Sequence, residues 1–420
     1  MAQELREQVE TICRAAREAS WTLASLPTAT KDAWLLRTAE RLEAARPTIL
    51  EANERDIEES KAKGLAAPMV RRLSLEDGKW ENMVDGLRQV AALRDPVGEI
   101  TDSIVRPNGL RVGRMRIPLG VIAMIYESRP NVTVDAGALC VKAGNAVVLR
   151  GGSEAFHSNR ALGAELRAAA ADVGLPEDAV QTMPTTSRDA IDHLLKMDRY
   201  LNLIIPRGGS ALVRKVMHES AIPVLAHDEG VCHVFLDASA DAEMSAEIVR
   251  DSKIRQMAVC NALETLLCHR DAARRVLPTV FKRLQEDGVE IRGCPETCEI
   301  FPEGVPAREA DWGEEFLDKI LAVKVVDDLD AAVDHVQRFG SEHTDVIVTN
   351  DYAASQEWLR RVNSSTVGVN CSTAFSDGYR LGLGAEIGVS TSKLHAFGPM
   401  GLEGLTTRKF VVQGDGQLRE

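Results

Sequence analysis

Residues 118–152 read PLGVIAMIYESRPNVTVDAGALCVKAGNAVVLRGG, and the two ends of this stretch are built unlike its middle. LGVIAMIYE (119–127) and NAVVLRG (145–151) are short apolar, β-branched runs bounded by glycine, as in strands buried on both faces. TVDAGALCVKA (133–143) between them reads as helix. Strand, helix, strand at this rhythm predicts a parallel sheet with helices on both faces, an α/β fold. The rhythm continues: AVQTMP (179–184) and LNLIIPRG (201–208) are further strands, with SNRALGAELRAAAADVG (158–174) and RDAIDHLLKM (188–197) as the helices between.

Upstream the pattern is different. Leu5, Val9, Ile12 and Ala16 recur at helical spacing, and KDAWLLRTAERLEAA does the same behind Thr30 as a candidate N-cap, so the first 95 residues read as helix. EITDSIVRPNGLRVGRMRIP then reads as two extended segments about Pro107-Asn108-Gly109, a hairpin in which glycine supplies the positive φ. Downstream the alternation restarts near residue 225. IPVLAH, VCHVFLD, ETLLCHR, VEIRG, ILAVKVVDD, DVIVTND and STVGVN are strands, with AEMSAEIVRDSK and LDAAVDHVQRFG among the helices. At 420 residues, two α/β domains are expected, over 1–225 and 226–375.

Charge and composition exclude several classes. A net charge of −13 and a pI near 5.3 argue against nucleic acid or an anionic membrane as partner. No run of 18 apolar residues spans a bilayer, and MAQELREQVETICRAAREAS lacks the apolar middle of a signal peptide, so a reducing, cytoplasmic setting is expected. The eight cysteines are then free thiols; no familiar zinc spacing appears, and the C-x3-C pair Cys294 and Cys298 reads as a chance pairing on a turn.

Two strand-to-helix turns suit phosphate. Pro206-Arg207-Gly208-Gly209-Ser210 follows one strand and Arg150-Gly151-Gly152-Ser153 another; each has two glycines that let a backbone approach closely, a serine that can cap a helix, and an arginine. Either turn alone is most simply a tight connection, but two in one sheet point to a phosphorylated cofactor. Neither G-x-G-x-x-G after a strand nor G-x-x-x-x-G-K-[ST] is present, so an ordinary dinucleotide fold or a kinase is disfavoured.

Most cysteines have an inert reading: Cys140 in AGALCVKAG and Cys268 in ETLLC belong to apolar elements. Cys260, in IRQMAVCNALETLLCH (254–269), lies between a basic helix end and a strand, where Lys253 and Arg255 can favour the thiolate. From the residues alone, packed thiol and nucleophile both stay open.

At this point the chain resembles a known family. PLGVIAMIYESRPNVTVDAGALCVKAGNAVVLRGG, LIIPRGGSALV, HDEGVCHVFLD, SEHTDVIVT and LGLGAEIGVSTSKLHAFGPMGLEGLTTRKF are similar to the gamma-glutamyl phosphate reductases of the aldehyde dehydrogenase superfamily, from about residue 5 to 412. The resemblance implies a Rossmann-like cofactor domain, an α/β catalytic domain and a small oligomerisation flap. In that flap the 100–118 hairpin pairs with a neighbouring subunit, while 376–420 returns to the cofactor domain and flap. It implies NADPH-dependent reduction of L-glutamyl 5-phosphate to L-glutamate 5-semialdehyde with release of phosphate, in proline biosynthesis. A homodimer or larger assembly and a glutamate 5-kinase that channels the acyl phosphate are further implied partners.

By the same resemblance Cys260 is the nucleophile that forms a thioester, and Asn131 in SRPN supplies a hydrogen bond to the oxyanion. Gly208, Gly209 and Ser210 face the cofactor pyrophosphate. Arg150 and Ser153 stand where the adenosine ribose is met, with room and counter-charge for a 2′-phosphate, and Glu315 binds the nicotinamide ribose. Arg255, Asn261 and Arg380 are expected to hold substrate, and no metal is expected. Hydrolytic relatives carry a water-activating glutamate where this chain has His227, which suits a thioester that meets hydride or phosphate but not water; Glu229, two residues on, competes for that role. This sequence also departs from the family in RQMAVCN before the nucleophile and in NCSTAF, where Ala374 replaces an arginine. The alternatives are a hydrolytic semialdehyde dehydrogenase and an inactive binding or structural subunit.

Overall fold

The computed structural model describes residues 2–419 and divides into two compact units. The first comprises the chain up to Ala226 with Gly382–Gly388 and the stretch from Met400 onward; the second comprises His227–Leu381 and Val389–Pro399. Within 376–420, expected to return to the cofactor domain and flap, Gly382–Gly388 and the stretch from Met400 onward belong to the first unit and Val389–Pro399 to the second.

The first unit opens with four helices, Ala2–Leu23, Thr28–Ala62, Ala67–Leu73 and Lys79–Ala92. The expected hairpin follows as β1 (Ile100–Val105) and β2 (Arg111–Pro118), with Gly109 at φ 88° in its turn. Its partner strand lies in the same chain: Thr406–Gln413 pairs antiparallel with β2 along its whole length and completes a three-stranded sheet. A lone ribbon is marginal in water, and a third strand removes one open edge.

The parallel sheet of this unit comprises β3 (Val121–Tyr126), β4 (Ala146–Gly151), β5 (Val180–Thr182) and β6 (Leu203–Arg207), in the order β5-β4-β3-β6. All six residues of β3 are buried, which is why that strand reads as one apolar run. Val9, Cys13 and Ala16 of the first helix pack with Val121, Ala123, Ile125, Ala146 and Val148. IPVLAH does not form a strand: Val224 makes a single bridge to Ile204 of edge strand β6. Pro223, without an N–H, limits the ladder there to two bonds, Ile204 N to Pro223 O and Leu225 N to Ile204 O.

The second unit is built on seven parallel strands: β7 (Cys232–Leu236), β8 (Leu263–His269), β9 (Glu290–Gly293), β10 (Val305–Pro306), β11 (Ile320–Val326), β12 (Thr344–Val348) and β13 (Thr366–Val369). Their order is β10-β9-β11-β8-β7-β12-β13. Helices Ala242–Ile254, Leu329–Phe339 and Tyr352–Arg361 each begin behind an aspartate, Asp241, Asp328 and Asp351, whose carboxylate accepts backbone N–H groups of the first turn. Among the described residues no helix is long and apolar enough to cross a membrane.

Candidate active site

In the second unit Cys260 sits on the loop between helix Ala242–Ile254 and β8. Both ends of that loop are tied together. Lys253, in the last helical turn, places Nζ 2.6 Å from Glu264 Oε2 on β8, and neither side chain is exposed to solvent. The other oxygen of Glu264 accepts the Leu317 N–H at 3.3 Å. Burial pushes the Glu264 carboxyl up to about 7 and pulls Lys253 down, while their attraction opposes both effects. The cations expected to favour the thiolate are thus committed elsewhere: Lys253 to Glu264, and exposed Arg255 to Asp251 at 2.7 Å. Asn261 donates through Nδ2 to the carbonyl of Ser376 at 3.0 Å, which fixes the residue after the nucleophile.

Gly230 lies against this loop. A Cβ there would stand 2.1 Å from the Cys260 carbonyl oxygen and 2.7 Å from its Cα, so only glycine allows the approach. The Gly230 N–H donates to Glu315 Oε1 at 2.9 Å, and Cys232 Sγ donates to the Cys260 carbonyl at 3.2 Å. Glu315 therefore braces the peptide that touches the cysteine loop; burial raises its carboxyl and the Gly230 N–H opposes the rise.

Two imidazoles complete the group. His227, His343 and Cys260 each offer a ring nitrogen or sulfur, all within 4.8 Å of one another. The rings of His227 and His343 meet edge to face with centroids 4.7 Å apart. His343 Nδ1 is 2.8 Å from Thr344 Oγ1 and 3.7 Å from Cys232 Sγ. Burial, with His227 adding to it, lowers His343 to about 3, so its ring is neutral at physiological pH.

The cysteines separate by environment. Burial pushes Cys268 up to about 12 and raises Cys140 and Cys232 as well, which keeps them as inert thiols; Cys260 is only half-buried. Cys294 and Cys298 are free, the first contacting Thr297 Oγ1 and the second the Gly293 carbonyl. Ala374 lies in the short turn Thr373–Phe375, and exposed Arg380 stacks over Tyr379 at 5.8 Å.

In the first unit the candidate groups gather at strand ends. Helix Ser210–Glu219 starts directly after Gly208 and Gly209, and the Gly209 N–H donates to the carboxylate of Glu127, the residue after β3, at 3.2 Å. A Cβ on Gly208 would stand 2.5 Å from the same carboxylate. Ser153 is exposed at the start of a short 3₁₀ turn beyond β4. Arg150 is nearly buried and donates to the carbonyls of Gly151, Thr186 and Ser187 at 3.0–3.1 Å. Burial lowers the Arg150 pKa, and the charge of exposed Arg188, a residue with no signal in the sequence, adds to that.

Asn131 opens helix Val132–Lys142 and donates to Asp135 Oδ2 at 2.8 Å, which leaves one amide hydrogen for another acceptor. Both residues line a cavity of about 420 Å³ with Arg72, Lys79, Asn82 and Arg129. Burial pushes Asp135 up to about 6, with Asn131 and Arg207 pulling the other way. Sequence reasoning did not assign Arg72, Asp135, Gly230, Glu264 or His343 to a site; the one signal for His343 was its place in the block SEHTDVIVT.

Comparison with known proteins shows the family of the chain. The profile of the aldehyde dehydrogenase family matches residues 1–290. Gamma-glutamyl phosphate reductase of Geobacter sp. (strain M21) is 52% identical over 413 residues, covering 98% of this chain and 99% of that protein. The enzyme of that name from Desulfatibacillum aliphaticivorans is 52% identical over 415 residues, covering 99% of each. The crystal structure of gamma-glutamyl phosphate reductase from Thermotoga maritima superposes with a TM-score of 0.96 at 41% identity, covering 98% of this chain and 100% of that one.

Proposed function

This chain belongs to the aldehyde dehydrogenase family, among its gamma-glutamyl phosphate reductases, and from that premise we propose that it reduces L-glutamyl 5-phosphate to L-glutamate 5-semialdehyde with NADPH, through a thioester on Cys260. The observation that carries the reading is the half-buried Cys260 on a doubly braced loop, beside the imidazoles of His227 and His343.

Cys260 attacks the acyl carbon as thiolate, the carbon–sulfur bond forms, and phosphate leaves with the electrons of the acyl–oxygen bond. The thiol proton passes to solvent or to the leaving phosphate, because buried His343 is too weak a base to keep it. The oxyanion at the acyl carbon takes a hydrogen bond from the Cys260 N–H, and the family resemblance assigns a second donor role to Asn131. NADPH, when bound, supplies the hydride. Cys260 then leaves as thiolate and frees the aldehyde.

The residues of the first unit fit a dinucleotide. Gly208 and Gly209 pass directly into helix Ser210–Glu219, which supports Gly208, Gly209 and Ser210 as the pyrophosphate turn once the Gly209 N–H exchanges the Glu127 carboxyl for phosphate. Ser153 leaves space for a ribose phosphate. With Arg150 engaged by three carbonyls, exposed Arg188 is the better counter-charge for a 2′-phosphate. Glu315 in the second unit serves the nicotinamide ribose only if its hold on Gly230 is kept or exchanged.

The cavity with Arg72, Arg129, Asn131 and Asp135 matches an α-amino acid group, cations for its carboxylate and a carboxylate for its ammonium. In the second unit, where Ala374 stands in place of an arginine, Arg255, Asn261 and Arg380 are further candidates for holding substrate. Exposed Ile104, Val105, Phe410 and Val412 on the three-stranded sheet support assembly with a second copy.

The test is NADP reduction with glutamate 5-semialdehyde, with and without inorganic phosphate, using wild type and Cys260→Ala. A rate that needs phosphate and falls by on the order of 10⁴-fold or more in the variant is expected. A phosphate-independent rate would instead identify a hydrolytic enzyme with Glu229 as the suspected base.

A further inference from the structure

We propose that Cys260, His227 and His343 form a binding site for a divalent cation of the zinc class, which shuts the enzyme off by ligating its nucleophile. The metal site stands on geometry; that its occupation stops turnover rests on the reading of Cys260 as nucleophile.

The three residues come from the segment before β7, the loop before β8 and the residue before β12, yet their ligand atoms lie within 4.8 Å of one another. Among the described residues, this is the group of histidine, cysteine and carboxylate side chains with such spacing. Zinc binds sulfur at about 2.3 Å and imidazole nitrogen at about 2.0–2.1 Å, so tetrahedral ligands stand roughly 3.5 Å apart. Closing the remaining distance, on the order of 1 Å, needs side-chain rotation only. His227 lies on an irregular segment and Cys260 on a loop, so both can make that adjustment.

His343 is the fixed member. It is fully buried, its Nδ1 lies against Thr344 Oγ1 at 2.8 Å, and its Nε2 is buried with no hydrogen-bond partner. With the proton on Nδ1 donated to Thr344, Nε2 presents a lone pair, and an outer hydrogen bond of this kind is what orients a ligating imidazole. Cys232 is close to the same ring, but its Sγ donates to the Cys260 carbonyl at 3.2 Å and faces Nδ1 rather than Nε2, so Cys260 supplies the sulfur.

One thiolate and two neutral imidazoles suit zinc or cadmium, whereas magnesium and calcium prefer oxygen. Three protein ligands leave a fourth position to water, as in exchangeable sites and unlike closed structural ones. Binding replaces the Cys260 S–H bond by a sulfur–metal bond and releases that proton to solvent. The lone pair needed to attack an acyl carbon is then occupied, and no thioester forms.

The experiment uses the full-length enzyme in a non-chelating buffer, with Cd²⁺ as spectroscopic probe and Zn²⁺ for calorimetry and activity. One Cd²⁺ per chain with an ultraviolet thiolate-to-metal band is expected. The band should vanish in Cys260→Ala, and affinity should fall at least about tenfold in His343→Gln and in His227→Gln, the second lying outside the buried core. Zn²⁺ should abolish semialdehyde oxidation, EDTA should restore it, and Mg²⁺ should do neither. A band that persists in Cys260→Ala, or unchanged affinity in both histidine variants, overturns the site. Stoichiometric Cd²⁺ on Cys260 with turnover intact overturns the switch, and with it the role of Cys260 as nucleophile, while leaving the site standing.

Discussion

In the first unit the candidate groups stand at the ends of single strands, where Gly208, Gly209 and Ser210 pass directly into a helix and Ser153 begins a 3₁₀ turn. In the second unit the candidate nucleophile stands on a loop whose position is set from a distance, by Glu264, by Gly230 with Glu315 behind it, and by Ser376. A strand-to-helix turn places its backbone N–H groups by local geometry and tolerates change elsewhere. A reactive side chain on a loop has no such guarantee, and several long-range contacts hold it where catalysis needs it.

Breaking the brace is the harshest test of this contrast. Lys253→Met leaves Glu264 buried and unpaired, and about 3–5 kcal/mol of stability should be lost in denaturant titrations. The double variant Lys253→Met/Glu264→Leu should recover much of that loss but not the full rate, because the Leu317 N–H also loses its acceptor. A double variant as unstable as the single one would show that the pair matters for packing rather than for charge.

Gly230→Ala is the sharper kinetic probe. The added methyl meets the Cys260 carbonyl, so kcat should fall about 100-fold with an overpacking cost of about 1–3 kcal/mol. Wild-type kcat at any measured stability would mean that the loop moves aside freely.

In the first unit, Arg72→Ala or Asp135→Asn should raise KM for glutamate 5-semialdehyde about tenfold and leave kcat nearly unchanged, as loss of uniform binding does. An analogue without the amino group should feel the Asp135 change far less; equal effects on both compounds would remove this cavity from substrate recognition.

Acidity should act on the two units in opposite directions. Burial raises Asp135 from its ordinary 3.8 to about 6, so its contribution to stability is complete below pH 3.8 and is lost as pH climbs through 6. Burial lowers His335 from 6.5 to about 2, so its contribution is complete above pH 6.5 and is lost as pH falls. Asp135→Asn should flatten the first slope and His335→Gln the second, each by at most about 1.4 kcal/mol per pH unit, read from unfolding midpoints across pH 4–7.

The alternation of strands and helices, the hairpin about Gly109, and the two glycine turns were all legible in the amino-acid order. Each depends on neighbours within a few residues, and periodicity records such neighbours. The inert cysteines were legible from their apolar flanks, whereas the flanking cations that drew attention to Cys260, Lys253 and Arg255, pair with Glu264 and Asp251 instead. IPVLAH misled because its composition suits a strand while Pro223 and the edge position of β6 allow only one bridge.

Tertiary structure alone decided which groups meet. His343 was one histidine in an apolar block until β12 set it beside Cys260, and Lys253 looked like a free cation until β8 brought Glu264 to it. Gly230 gave no reason to be glycine until the cysteine loop lay against it. Local order specifies the elements through short-range backbone preference; the site arises where distant segments pack, and burial there changes the charge state and reactivity of the side chains that meet.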